Sequence, residues 1–332
     1  MLTKDDISGL YVMPPTPCIE GGEHWSVTSS VDLEESARMT DSYIRDGVSG
    51  ISICGTAGEC AALLWEEKRD FIDTVVQTAR HRVPIFAGAT ALGTKETIRQ
   101  MRAFKDMGAD GVFVGLPLWQ TPTIENAVRF YADVNEAVPD FPIMVYSNAR
   151  VFKFTFPVPF WVGVAKAAPA VITNKVASQD TMRNIEEVQR LTGDRISYLP
   201  GNPGGAYTAW KQVGNAVKGF WSTQAAMGPA PLVAFADAMQ RNDEARMQAI
   251  LEDINAIPVP WSPAMNVAGQ PGFTEYEAQV QKATFDASDY VKAGPSRAPY
   301  YREELPEDWQ TNADSQGKAW AELAEKYAKS PV

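Results

Sequence analysis

The chain has 332 residues, 45% hydrophobic and 21% charged, the balance of an ordinary soluble globular protein with room for one large domain and an appendage. Its net charge of −11 excludes nucleic acid as a natural partner, because phosphate binding needs clustered Lys and Arg, and it disfavours an anionic membrane surface. No run of about 18 apolar residues is present, so no membrane span is predicted.

Three cysteines (Cys18, Cys54, Cys60) form no disulfide pattern, and two histidines (His24, His81) form no zinc cluster. No zinc site is therefore expected, a carboxylate-bound magnesium site stays open although no acidic cluster stands out for one, and an enzyme's chemistry would fall to Lys, Tyr, Ser/Thr or carboxylates. The opening MLTKDDISGL lacks the apolar core of a signal peptide, which predicts a cytoplasmic protein.

Short apolar runs recur along the chain: 9–17, 49–56, 83–90, 111–117, 142–148, 170–178, 196–202 and 216–223. Each is nearly continuous rather than alternating, as parallel strands buried on both faces require. Amphipathic segments lie between them. Leu33, Ala37, Thr40 and Ile44 form one helical stripe, followed by Gly47. Thr94 is placed to cap a helix carrying Ile98, Met101 and Phe104, which Gly108 ends. The GVSG at 47–50 and GADG at 108–111 echo each other as helix-to-strand turns.

Eight such alternations predict an α/β protein of the (β/α)8 TIM-barrel type. A doubly wound open sheet is the alternative, but TPCIEGGEHW after the first strand is no phosphate fingerprint. Residues 1–240 are assigned to the barrel and 241–332 to a helical C-terminal extension. Within it, KAGPSRAPYYREELPEDW is read as ordered coil over the surface.

The sixth run, VITNKVAS, ends on Lys175 at the barrel face where such enzymes place their chemistry. A lysine there either snorkels to solvent or is held dry, with a pKa lowered from about 10.4 so that its neutral amine is a nucleophile. Other strand ends bear on that choice. GTAGE (55–59) follows strand two, and its glycines let the Thr56 and Ala57 amides face a small anion, unless it is only a tight turn. Tyr146, in MVYSN, ends strand five, where it is either catalytic or a core residue.

GTAGE, YSN and the strand-six lysine together resemble the class I aldolase family that includes dihydrodipicolinate synthase and N-acetylneuraminate lyase. GLPLWQTPT (115–123), with Trp119 in place of the synthase relay tyrosine, departs from those two enzymes. So does GFWSTQAAMGP, with Trp221. With FKFTFPVPFW, KAGPSRAPY and SQGKAWAEL, these segments are similar to a narrower branch, the hydratase-aldolases of aromatic catabolism, nearly end to end.

That resemblance implies cleavage of an ortho-substituted trans-benzylidenepyruvate (hydroxy- or carboxy-aryl, with one ring or two) plus water to an aromatic aldehyde and pyruvate, with no cofactor beyond a Schiff base on Lys175. It implies Tyr146 as proton shuttle and Thr56 as its support, with Thr56 and the Ala57 amide on the carboxylate. Asn148 would position water, and Trp119 and Trp221 would flank the aryl ring or serve only in packing. Arg150 would hold an ortho-carboxylate or pair with an acidic neighbour. Ser178 and Asn202 would lie near the aryl end.

A homo-oligomer, a tetramer by resemblance, is implied as well. The competing readings are a dihydrodipicolinate synthase or sialic acid lyase, and a barrel that binds a keto acid without turnover.

Overall fold

The computed structural model describes residues 1–177, 179–257 and 272–329. All eight expected strands form, each lying inside its apolar run and shorter than it. They are β1 (Gly9–Val12), β2 (Gly50–Ile53), β3 (Ile85–Gly88), β4 (Gly111–Val114), β5 (Ile143–Ser147), β6 (Val171–Val176), β7 (Ser197–Leu199) and β8 (Gly219–Ser222).

All pair in parallel in the order β7-β6-β5-β4-β3-β2-β1-β8. A parallel bridge between Gly201 and Trp221 joins the two ends of that order, so the sheet is a nearly closed (β/α)8 barrel. Both faces of the strands are buried, which is why their runs do not alternate.

Helices return the chain between strands: α1 (Leu33–Arg45), α2 (Trp65–Ala79), α3 (Thr94–Asp106), α4 (Ile124–Ala137), α5 (Ala149–Phe152), α6 (Val158–Ala167), α7 (Gln179–Arg183), α8 (Ile185–Thr192) and α9 (Asn202–Val213). Gly47 and Gly108 both take left-handed φ, +93° and +92°, the shared geometry behind their sequence echo.

Two local expectations are corrected. Thr94 is the first residue of α3, with Gly93 as its cap, and no side chain closes that end. In α1 the buried stripe is Ser36, Met39, Thr40 and Tyr43, whereas Leu33 is 41% exposed. Asp32 caps α1 by accepting from Glu35 N at 2.9 Å, which satisfies one of the orphaned amides of its first turn.

After β8 come α10 (Ala230–Gln240), α11 (Glu244–Asn255), α12 (Phe273–Ala287) and α13 (Glu307–Ala328). Trp320, Leu323 and Tyr327 of α13 belong to the same continuous core as the barrel. Helices α12 and α13 share a smaller cluster of Val280, Ala283, Trp309 and Ala313. Among the described residues no helix is long and apolar enough to cross a membrane.

The coil after α12 does not lie on the surface as expected. Val291, Ala293, Ser296 and Arg297 are buried, because Arg297 enters an ionic hub under the barrel mouth. Glu59 Oε2 accepts from Lys282 Nζ and from Arg297 Nη1, each at 2.7 Å. The same guanidinium donates to Thr16 O, Pro17 O and Ser30 Oγ.

Candidate active site

The β5–β6 register sets Tyr146 opposite Lys175, so both side chains enter the barrel from adjacent strands. Lys175 is only 6% exposed. Its Nζ lies 3.6 Å from the centroid of the Trp221 ring, 4.3 Å from that of Tyr146 and 6.0 Å from that of Phe113. Burial pulls the amine down to about 7; the Arg150 guanidinium adds to the drop and the Glu277 carboxylate opposes it. The aromatic faces attract an ammonium, but desolvation outweighs them. Lys175 is therefore a dry amine, roughly half neutral at pH 7.

Trp221 is held over that amine by two features. Its Nε1–H donates to Val176 O at 2.8 Å, reaching past β7 to β6. Gly201 makes room for the ring, since a Cβ there would sit 2.8 Å from Trp221 Cζ2.

The Tyr146 hydroxyl shares a hydrogen bond with Thr56 Oγ1 at 2.8 Å and accepts one from Asn148 Nδ2 at 3.2 Å. Burial pushes this phenol up to about 12, against the lowering effect of those two partners, so it stays protonated. Asn148 also caps α5, its Oδ1 accepting from the Arg150 and Val151 amides at 3.1 Å each. The cap orients the amide so that its NH2 faces Tyr146. The amides of Thr56 and Ala57 donate to no acceptor among the described residues, and both residues line the cavity, which suits a carboxylate.

A cavity of about 290 Å³ brings together Thr56, Ala57, Tyr146, Asn148, Arg150, Lys175, Asn202 and Trp221. Arg150 Nη2 donates to the Glu277 carboxylate, the pairing that was one of its two expected fates. Asn202 Oδ1 accepts from Ser222 Oγ at 2.9 Å. Ser178 lies outside the described residues.

Trp119 does not flank this cavity. Trp119 is 82% exposed, on an outer groove with Leu92 and Pro117. Among the cavity residues that were not anticipated are Phe273, Glu277 and Gln281, all on α12. Their helical spacing was visible in the sequence, but nothing there says which surface the helix covers. A second chamber of about 220 Å³ lies beyond Thr56 and Tyr146, lined by Cys54, Cys60, Leu118 and Phe152.

The profile of the dihydrodipicolinate synthetase family matches residues 25–268. The trans-O-hydroxybenzylidenepyruvate hydratase-aldolase of Pseudomonas putida is 40% identical over 332 residues, covering 99% of this chain and 97% of that relative. The trans-2'-carboxybenzalpyruvate hydratase-aldolase of Nocardioides sp. (strain KP7) is 33% identical over 332 residues, covering 98% and 96%. The solved structure of PhdJ bound to a substrate intermediate superimposes with a TM-score of 0.91 at 34% identity, covering 98% of this chain and 99% of that one. A dry strand-six lysine beside a Thr–Tyr pair, on a barrel whose sequence aligns almost end to end with these enzymes, has one consistent placement. The chain belongs to the dihydrodipicolinate synthetase family, within its hydratase-aldolase branch.

Proposed function

We propose that this hydratase-aldolase converts an ortho-substituted trans-benzylidenepyruvate and water into an aromatic aldehyde and pyruvate through a Schiff base on Lys175. The observation that carries the proposal is the buried Lys175 amine, with its pKa drawn to about 7 beside the Thr56–Tyr146 hydroxyl pair. A neutral amine adds to the 2-keto carbon, and loss of water gives an iminium. Tyr146 hands its proton to the departing hydroxyl and recovers one later, with Thr56 and Asn148 fixing its oxygen.

The iminium draws electrons from the conjugated double bond, so water adds at the carbon bearing the aryl group and a proton is taken up at C3. The C4 hydroxyl then gives its proton to a base as the C3–C4 bond breaks, the bond's electron pair passing into the iminium and the hydroxyl oxygen becoming the aldehyde carbonyl. Aldehyde leaves, and the remaining enamine is protonated at C3. Hydrolysis releases pyruvate and restores the lysine. No external cofactor enters this sequence.

The substrate carboxylate is assigned to the free amides of Thr56 and Ala57, and attacking water to Asn148. Trp221 covers the inner part of the conjugated chain, while Asn202 and Arg150 stand toward its aryl end. Three thiols, none in a disulfide, accord with a reducing cytoplasmic setting. The proposal includes a homo-oligomer, as the branch implies.

Two assays test it. Borohydride reduction in the presence of pyruvate, followed by peptide mass spectrometry, should place the adduct on Lys175. Turnover should bleach the conjugated enone absorbance. An adduct on another lysine would sink the assignment, and binding without bleaching would favour a keto-acid-binding barrel.

A further inference from the structure

The outer wall of the cavity does not come from the barrel. Helix α12 supplies Phe273, Glu277 and Gln281, which face the mouth above the barrel's strand ends. A keto acid fixed at Lys175 and the Thr56–Ala57 turn therefore directs its aryl end toward this wall, an argument that rests on the function proposed above.

Arg150 is the cation available there, and its guanidinium is already paired with Glu277. The two charges cancel. Gln281 Nε2 donates to Glu277 Oε1 at 3.3 Å, which orients the amide and leaves Gln281 Oε1 buried with no partner among the described residues. With Gln281 only 9% exposed, that orphaned oxygen is an acceptor in need of a donor. The wall thus combines an acceptor-rich surface with a cation that is already satisfied.

We propose that Glu277 is a specificity-determining residue which, together with Gln281, admits a neutral hydrogen-bond-donating ortho substituent, a hydroxyl, and rejects an ortho-carboxylate. A hydroxyl supplies the donor that Gln281 Oε1 lacks once the amide turns toward the cavity, and it leaves the Arg150–Glu277 pair intact. An ortho-carboxylate has to compete with Glu277 for Arg150 and lies beside a like charge, which costs affinity.

The test uses three enones that differ only at the ortho position (hydroxyl, carboxylate or hydrogen) with the wild-type protein, E277Q and Q281L. Wild type should favour the hydroxyl over the carboxylate by roughly tenfold or more in kcat/KM. E277Q frees Arg150 and should raise the carboxylate-to-hydroxyl ratio by about tenfold. Q281L keeps the ion pair and should lower the hydroxyl-to-hydrogen ratio. Wild-type turnover of the carboxylate equal to that of the hydroxyl overturns this inference alone, as does an unchanged ratio in E277Q. Bleaching of none of the three overturns the proposed function, and this inference with it.

Discussion

Lys175→Met should make the protein more stable as it abolishes turnover. The wild-type fold holds an amine whose pKa has fallen from the usual 10.5 to about 7, chiefly through burial. At about 1.36 kcal/mol per pKa unit, that drop corresponds to a folding penalty of roughly 4–5 kcal/mol at pH 7. Methionine fills a similar volume without a charge to desolvate, so K175M should gain up to about that amount, less any packing mismatch.

The pH dependence is the sharper signature. Between pH about 7 and 10.5 the unfolded chain binds this proton and the folded one does not, so wild-type stability rises with pH across that window. The penalty is full below pH about 7 and shrinks to roughly 2 kcal/mol at pH 9. Urea midpoints of both proteins at pH 6, 7, 8 and 9 measure the difference directly. A variant no more stable than wild type at pH 7, or a gap that stays constant up to pH 9, would refute a desolvated amine.

Other outcomes follow from the same contacts. The kcat/KM profile should fall tenfold per pH unit below about 7, where Lys175 becomes protonated; a flat profile down to pH 5 would count against it as nucleophile. Gly201→Ala should push the Trp221 ring off the amine and let water in, moving that acid limb to higher pH; an unmoved limb would mean the ring does not shield the lysine. Thr56→Ala, which strips Tyr146 of its 2.8 Å partner, should lower kcat by about tenfold or more, with T56S restoring most of it, as single-turnover kinetics can read. Glu59→Gln leaves the buried cations Lys282 and Arg297 without their shared counter-charge and should destabilise the fold by about 3–5 kcal/mol in urea unfolding.

The barrel was legible because parallel strands buried on both faces must be written as unbroken apolar runs, and because Gly47 and Gly108 mark turns that need left-handed backbone. Lys175 was legible for a related reason: a charge at the end of such a run has to be explained. Tyr146 and Thr56 stood at strand ends expected on the same face, where the residues alone left site and packing both open and the family resemblance chose between them. What could not be read was where loops and helices aim their side chains. Trp119 stands in a loop whose direction no local pattern encodes, and it turned outward. Glu277 is 127 residues from the Arg150 it pairs with, so only the docking of α12 reveals the partner. The buried coil around Arg297 was misread because proline and tyrosine content says nothing about a carboxylate 238 residues upstream.

That hub also ties the catalytic face to a distant stretch of chain. Glu59 sits beside the turn that carries Thr56 and Ala57, yet its two cations arrive only with Lys282 and Arg297. A nascent chain can lay down all eight strands while this carboxylate still lacks its counter-ions. The substrate-binding turn is thus braced from the C-terminal extension, and the two cations cannot both brace it before the chain has been made as far as Arg297.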